Sequence, residues 1–293
     1  MRKAILVYNP LSGARFIVNK LGYIFDKFQS IGVLVQPYIL EFDKTHELLY
    51  TLKNEEYEFI MAAGGDGTIN YVANVLMQSG LNIPLGVIPA GTCNDFATCI
   101  GVSASFDTNI DVILKGKIKH VDIGLLNKEK YFLNTYAGGA FADISFKTDN
   151  ELKKNLGAFA YYIKALSEVA NIRSFKLTIN TDEGEIKEDA ILFFITNGKN
   201  IGGFTNIVKK ASITDGMMDI VVLKECSHID LIGLFFKVLN GTIDDNPNVK
   251  IFRFKKCFIS ANREIVSTVD GEKGDSLPVV VEFINKGLKV FVP

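Results

Sequence analysis

The apolar runs KAILVYNP, GVLVQPYIL, YEFIMAA and PLGVIPA alternate with helix-like stretches over residues 15–30, 44–54, 69–79 and 93–100. Short strands that are apolar throughout need cover on both faces, and a helix between successive strands lets each return parallel to the last. The pattern predicts an α/β domain over residues 1–120, a parallel sheet with helices on both faces. In such sheets ligands bind beyond the C-terminal ends of the strands. Three of these strands run into the glycine-bearing turns NPLSG, GGDGT and PAGTCND, which are expected to converge.

After residue 120 the rhythm changes. HVDIGLL, YFLNTYAG, SFKLTIN, AILFFITNG, MDIVVL, VKIFRFKKCFISA, EIVSTVDGE, PVVVEF and LKVFVP read as strands with short turns between them. They predict a β-rich, sandwich-like second domain over 121–293, with helices near 151–170 and 228–240 and a last strand returning toward the first domain. No Pro/Ser-rich linker marks the boundary, so the domains are expected to share an interface with the active site in the cleft between them.

The 293 residues, 48% of them hydrophobic, suffice for two cores. A net charge of -1 removes the broad basic field of a nucleic-acid binder. Cys93, Cys99, Cys226 and Cys257 lack metal-ligand spacing and read as reduced, buried thiols of a cytoplasmic protein. Residues 69–94 carry no charge, but Asn70, Asn74, Gln78, Gly80, Asn82, Pro84 and Pro89 interrupt them, so no membrane span is expected. The first apolar run stops at Asn9-Pro10, too soon for an export signal.

In GGDGT, Gly64, Gly65 and Gly67 let backbone approach an anion at the start of a helix, which suits a phosphate. Asp66 places a negative charge at the centre of that turn. Thr68 is expected to cap the helix or meet a phosphate oxygen. Asn9, Ser12 and Gly13 supply further donors. Thr92 and Asp95 stand at capping-box spacing, and capping accounts for Asp95 on spacing alone. Cys93 has no histidine near it in sequence and reads as packing.

Asp270 and Glu272 lie two apart in VDGE. In an extended segment both carboxylates would point the same way, with Gly271 leaving room for a substrate, as a general base and its helper. A solvated turn explains the same residues, and on the residues alone explains them better. Asp215 before Gly216 reads as a turn residue, and Asp219 as the start of a strand. His46, His120 and His228 are scattered and do not suggest catalysis. HIDLIGLFFKVLNG reads as a core helix, and Lys153-Lys154, Lys209-Lys210 and the basic residues of 250–256 as solvated; a lipid-facing rim is the sharper alternative.

Taken together, the chain resembles the soluble bacterial diacylglycerol kinase-like lipid kinases, built on the diacylglycerol kinase catalytic domain. NPLSG, GGDGT, PAGTCNDFA, DGMMDIVVL and VDGE follow the family's order over nearly the whole chain. GGDGT alone is shared with NAD kinases and, loosely, phosphofructokinases; NPLSG and VDGE separate this chain from both. The resemblance implies ATP, with its phosphates on Asn9, Pro10, Leu11, Ser12 and Gly13, on Gly64, Gly65, Asp66, Gly67, Thr68, Ile69 and Asn70, and on Gly91, Thr92, Asn94 and Asp95. It implies Asp270 as general base with Glu272 beside it. It also implies a Mg2+ site using Asp215 and backbone oxygens near Ser212 and Met217, linked through water to Asp66 and Asp95, which would give Asp66 its purpose.

The implied reaction moves the γ-phosphate of ATP to a lipid primary hydroxyl, with diacylglycerol the leading acceptor and a ceramide-like lipid or monoacylglycerol the alternatives. A non-catalytic nucleotide- or lipid-binding regulator is the other class. The implied partner is a lipid at a membrane surface, met transiently by a cytoplasmic protein, and a homodimer stays open. Three departures from the family pattern stand out: Tyr71 in place of Glu, GGFTNIVKKAS in place of a glycine-rich run ending in Pro-Asp, and Leu40 or Glu41 where relatives place Thr.

Overall fold

The computed structural model describes residues 2–41, 44–102, 105–140, 172–239, 243 and 246–293. The second-domain helix expected near 151–170, with Lys153 and Lys154, lies outside them. The chain forms two compact units, Met1–Val121 with Lys286–Pro293, and Asp122–Asn285.

In the first unit the elements alternate as the apolar pattern requires. They are β1 (Arg2–Tyr8), α1 (Phe16–Gln29), β2 (Val33–Ile39), α2 (Thr45–Asn54), β3 (Phe59–Gly64), α3 (Asp66–Ser79), β4 (Leu85–Pro89), α4 (Asp95–Cys99) and α5 (Phe106–Lys115). The strands pair in parallel in the order β2-β1-β3-β4. Ala4, Leu6 and Tyr8 pack with Ile17, Ile24 and Phe28 of α1 and Ile110 and Ile113 of α5. Ile5 and Val7 alternate with them and are also fully buried. On α3, Ile69, Val72, Ala73, Val75 and Leu76 are buried. Helix α5 was not expected; its signals are Ser105, whose hydroxyl accepts the Thr108 N–H, and Gly116, left-handed at the C-terminus.

The second unit is antiparallel. β5 (Ile118–Leu126) enters it and turns into β6 (Lys130–Phe132), followed by β7 (Thr135–Gly139), β8 (Phe175–Thr181), β9 (Gly184–Thr196) and β10 (Met218–Lys224). Helix α6 (His228–Leu239) precedes β11 (Val249–Phe254), β12 (Lys256–Ala261), β13 (Ser267–Val269), β14 (Glu272–Lys273) and β15 (Val279–Phe291). Pairing runs β14-β13-β7-β9-β8-β12-β15, and β10 bridges β9 and β11. Period-two alternation divides β10 between two cores. Met218, Ile220 and Val222 join Phe193, Ile195 and Tyr136, while Val221 and Leu223 join Leu231 and Leu234 of α6. That packing is the core-helix reading of HIDLIGLFFKVLNG.

Four strand expectations needed correction: VKIFRFKKCFISA splits at Lys255 into β11 and β12, and EIVSTVDGE splits at Asp270-Gly271 into β13 and β14. YFLNTYAG breaks at Leu133-Asn134, because the backbone there turns its N–H groups to Asp270 instead of a neighbouring strand. PVVVEF and LKVFVP form the single strand β15. All four cysteines are thiols outside any disulfide, with Cys257 buried and the other three only partly so. No described helix is long and apolar enough to cross a membrane.

Phe193 is fully buried, its ring 5.9 Å from that of Tyr136. It fills the space Gly138 leaves, where a Cβ would come within 2.6 Å of the ring. Phe193→Ala is expected to cost about 3–5 kcal/mol, read as a lower urea midpoint at unchanged slope. Tyr136 donates its hydroxyl to the Asp275 carbonyl at 2.9 Å, and burial pushes its pKa from 10.0 up to about 12. A raised tyrosine pKa means the folded state holds the proton more tightly, so this stability is complete below pH 10 and drains away as pH rises toward 12. Tyr136→Phe should flatten that part of the stability-pH curve.

Candidate active site

The three glycine turns of the first unit meet as backbone. Asn9 follows β1, donates its N–H to Ala63 O at 3.1 Å, and accepts the Leu11 N–H on Oδ1 at 2.9 Å, closing the NPLSG turn on itself. Gly13 is left-handed, with φ 55°, and a Cβ there would stand 3.4 Å from Ala90 O. Pro10 and Leu11 lie in this turn, Leu11 exposed, with Ser12 opening a short 3-10 turn over Ser12–Arg15. Ala90 N–H reaches Gly64 O at 2.7 Å, joining the ends of β3 and β4.

Gly65 and Gly91 face each other so closely that a Cβ on Gly91 would lie 2.6 Å from Gly65 Cα. No L side chain fits there without moving the backbone. Asp66 Oδ2 accepts the Asn94 N–H at 2.8 Å across the same junction. Asn94 is left-handed, at φ 52°, and its amide bonds Gly91 twice, accepting the N–H and donating to the carbonyl, each at 2.9 Å.

Three expectations change here. Helix α3 begins at Asp66 and not at Ile69, so Asp66, Gly67, Thr68, Ile69 and Asn70 all lie in its opening turns. A carboxylate in a first turn complements the helix dipole; part of the answer to why Asp66 is there is that it ties this turn to the next. Thr68 does not cap: the helix start has no side-chain cap bond, and Thr68 is buried with its side chain folded over Gly64. The Thr92–Asp95 capping box does not form either, since Asn94 occupies the cap position and α4 has no side-chain cap bond.

In the second unit Asp270 and Gly271 make the two-residue turn of the β13–β14 hairpin, both at positive φ, 47° and 84°. An Asp-Gly pair suits such a turn. The segment is therefore not extended, and the same-face argument for Asp270 and Glu272 fails: Glu272 is exposed on β14, opposite Val269. Nor is Asp270 a solvated turn residue. Its Oδ2 accepts the Leu133 N–H at 2.7 Å, and its Oδ1 accepts those of Asn134 at 2.9 Å and Thr135 at 2.7 Å. Three backbone donors favour the ionised carboxylate and fix its orientation.

Sequence reading missed what supports these donors. Asn197 is fully buried, and its Nδ2 donates to Asp122 O at 2.7 Å and Leu133 O at 3.0 Å. Asp122, also fully buried, accepts the Gly216 N–H at 3.0 Å. The carboxamide in ITNG is visible in sequence, but nothing local marks it as buried.

The groups implied by the resemblance fit unequally. The first-unit turns present glycine backbone and a helix N-terminus, a cradle for phosphate. Asp66 and Asp95 add hard oxygens of the kind Mg2+ accepts through water. At the Ser212, Asp215 and Met217 set, protein groups already engage the Asp215 carboxylate. Asp215 Oδ2 is bonded by Arg253, and its Oδ1 takes the Met217 N–H at 3.1 Å. Ser212 Oγ lies 3.4 Å from Thr214 Oγ1.

The basic residues of 250–256 are largely neutralised. Lys250 pairs with Glu188, Lys256 with Glu282 at 2.8 Å, and Arg253 with Asp215 and Asp219. Lys209 and Lys210 are exposed.

The protein is thus a parallel α/β unit with glycine turns at its strand ends, followed by an antiparallel β-rich unit. Residues 3–126 match the diacylglycerol kinase catalytic domain, and residues 137–292 match the YegS C-terminal NAD kinase beta sandwich-like domain. A diacylglycerol kinase of Staphylococcus saprophyticus is 30% identical over all of this chain and 96% of its own length; one of Staphylococcus epidermidis is 31% identical over all of this chain and 92% of its own. The crystal structure of a putative diacylglycerol kinase from Bacillus anthracis superposes with a TM-score of 0.85 at 25% identity, covering all of this chain and 95% of that one. The chain belongs to the diacylglycerol kinase family.

Gly91→Ala tests the junction directly. The added methyl would push the Gly65 and Gly91 turns apart; nucleotide affinity should fall at least about tenfold, since phosphate donors act only when pre-positioned. Calorimetric titration with a non-hydrolysable ATP analogue measures it.

Proposed function

We propose that this chain transfers the γ-phosphate of ATP to the primary hydroxyl of a lipid, with diacylglycerol the leading acceptor and phosphatidate the product. The observation that carries the reading is the backbone cradle at Gly13, Gly65 and Gly91, held by Asp66 and Asn94. Family membership and the names of the relatives support the acceptor class. A ceramide-like lipid or monoacylglycerol is the alternative acceptor.

In this reading Asn9 to Gly13, Gly64 to Asn70, and Gly91, Thr92, Asn94 and Asp95 line the phosphates. Backbone N–H groups at the start of α3 stabilise charge on the transferred phosphoryl group. Asp66 and Asp95 would hold Mg2+ through water, and the ion would supply further charge neutralisation. Asp270, ionised and aimed by the N–H groups of Leu133, Asn134 and Thr135, takes the proton of the lipid hydroxyl as its oxygen attacks the γ-phosphorus and the bond to the β–γ bridging oxygen breaks, releasing ADP. Glu272, exposed beside that turn, assists electrostatically. The protein meets its lipid at a membrane surface from the cytoplasm, through transient contacts that exposed lysines such as Lys209 and Lys210 would favour on an anionic surface. A homodimer is compatible with this chemistry.

Purified protein incubated with labelled ATP, Mg2+ and mixed micelles of candidate lipids should make labelled lipid phosphate. Asp270→Asn should lower kcat by about 10²–10⁴-fold. An Asn there sets an NH2 against at least one of the three backbone N–H groups, so the melting temperature is followed alongside; the rate should fall far more than the folded fraction. Nucleotide binding with no transfer to any lipid alcohol would replace this reading with the regulator, and label on NAD would make the chain an NAD kinase.

A further inference from the structure

Two of the three donors that hold Asp270 are themselves held from behind by one residue. Asn197 follows β9, one rung beyond the Thr135–Thr196 pair that joins β7 to β9. It is fully buried. Its backbone N–H bonds Asn134 O at 2.9 Å, and its Nδ2 bonds Leu133 O at 3.0 Å. Asn134 O shares a peptide with the Thr135 N–H, and Leu133 O with the Asn134 N–H; both N–H groups end on Asp270 Oδ1, at 2.7 and 2.9 Å. A trans peptide is planar, with its C=O and N–H pointing opposite ways. Fixing the oxygen end therefore fixes where the N–H points, and a bond at the oxygen also polarises that N–H into a better donor.

The carboxamide is itself pinned. Nδ2 donates to Asp122 O as well, at 2.7 Å, so both groups facing it are carbonyl oxygens, which an NH2 can serve and a carboxylate cannot. On the chain side, buried Thr196 donates its hydroxyl to Gly198 O at 2.6 Å and closes the backbone around Asn197.

We infer that Asn197 is a positioning residue of the second unit: it clamps the Leu133–Asn134 and Asn134–Thr135 peptides by their oxygen ends, so that their N–H groups hold the Asp270 carboxylate in one orientation. Its effect on rate rests on the kinase reading, in which that carboxylate takes the lipid proton; its effect on the peptides does not.

Asn197→Leu keeps the backbone bond to Asn134 O and removes the side-chain bond to Leu133 O, so the Asn134 N–H is the donor that should loosen. With labelled ATP and lipid micelles, and activity counted per folded protein, kcat should fall about 10–100-fold while KM for ATP stays unchanged. The acid limb of the kcat–pH profile should move up by roughly one pH unit, because the carboxylate loses part of what favours its charged form. A side chain that only filled space would leave that limb in place. Hydrogen exchange followed by NMR, without nucleotide or lipid, should show the Asn134 amide exchanging at least about tenfold faster than in wild type, with the amides of β8 unchanged. Should that variant not accumulate folded, Asn197→Ser serves: its hydroxyl, one atom shorter, should move rate and exchange in the same direction by less. Wild-type kcat and acid limb in the variant, or unchanged exchange at Asn134, would overturn the inference. Wild type that makes no lipid phosphate would fail the kinase reading instead, and exchange at Asn134 alone would then decide whether Asn197 clamps the peptides.

Discussion

The first unit depends on one close approach, that of Gly65 to Gly91. With the backbones this near, the turns after β3 and β4 become one surface, and the bonds from Asn94 to Asp66 and Gly91 lock it. The parallel register sets up the approach by bringing Gly64 beside Pro89. A side chain at Gly91 would force the two turns apart. A ligand meeting this surface would not have to order the loop first.

A different device organises the second unit. Asp270 is held by the three successive N–H groups of Leu133, Asn134 and Thr135, which sheet pairing leaves unused because β6 ends and β7 begins there. The Asn197 carboxamide braces Leu133 from the other side and continues to Asp122, whose carboxylate holds Gly216. Carboxylate, broken strand, buried amide and the turn before β10 form one hydrogen-bonded series. The Asn197 Nδ2 and the Asp122 carboxylate both meet backbone, as low dielectric demands.

Both motifs that the sequence offered as capping turned out otherwise, for a shared reason. Thr68 and Thr92 stand at spacings where a hydroxyl could cap a helix, yet neither helix start has a side-chain cap bond. Thr68 is instead drawn over Gly64, which has no side chain to exclude it. Capping spacing is a local signal, and here tertiary packing outweighs the roughly 1 kcal/mol a cap contributes.

Periodicity and turn chemistry determined the α/β character of the first unit, the antiparallel strands of the second and the grouping of three glycine turns, because these follow from side-chain spacing along a few residues. Asp66, Asp270 and Asp215 were also legible as residues of interest. What each carboxylate touches was decided only by the fold: Asn94 lies 28 positions from Asp66, Leu133 lies 137 from Asp270, and Arg253 lies 38 from Asp215. A charge announces itself in sequence, but its partner is chosen by the strands and turns that carry both into contact.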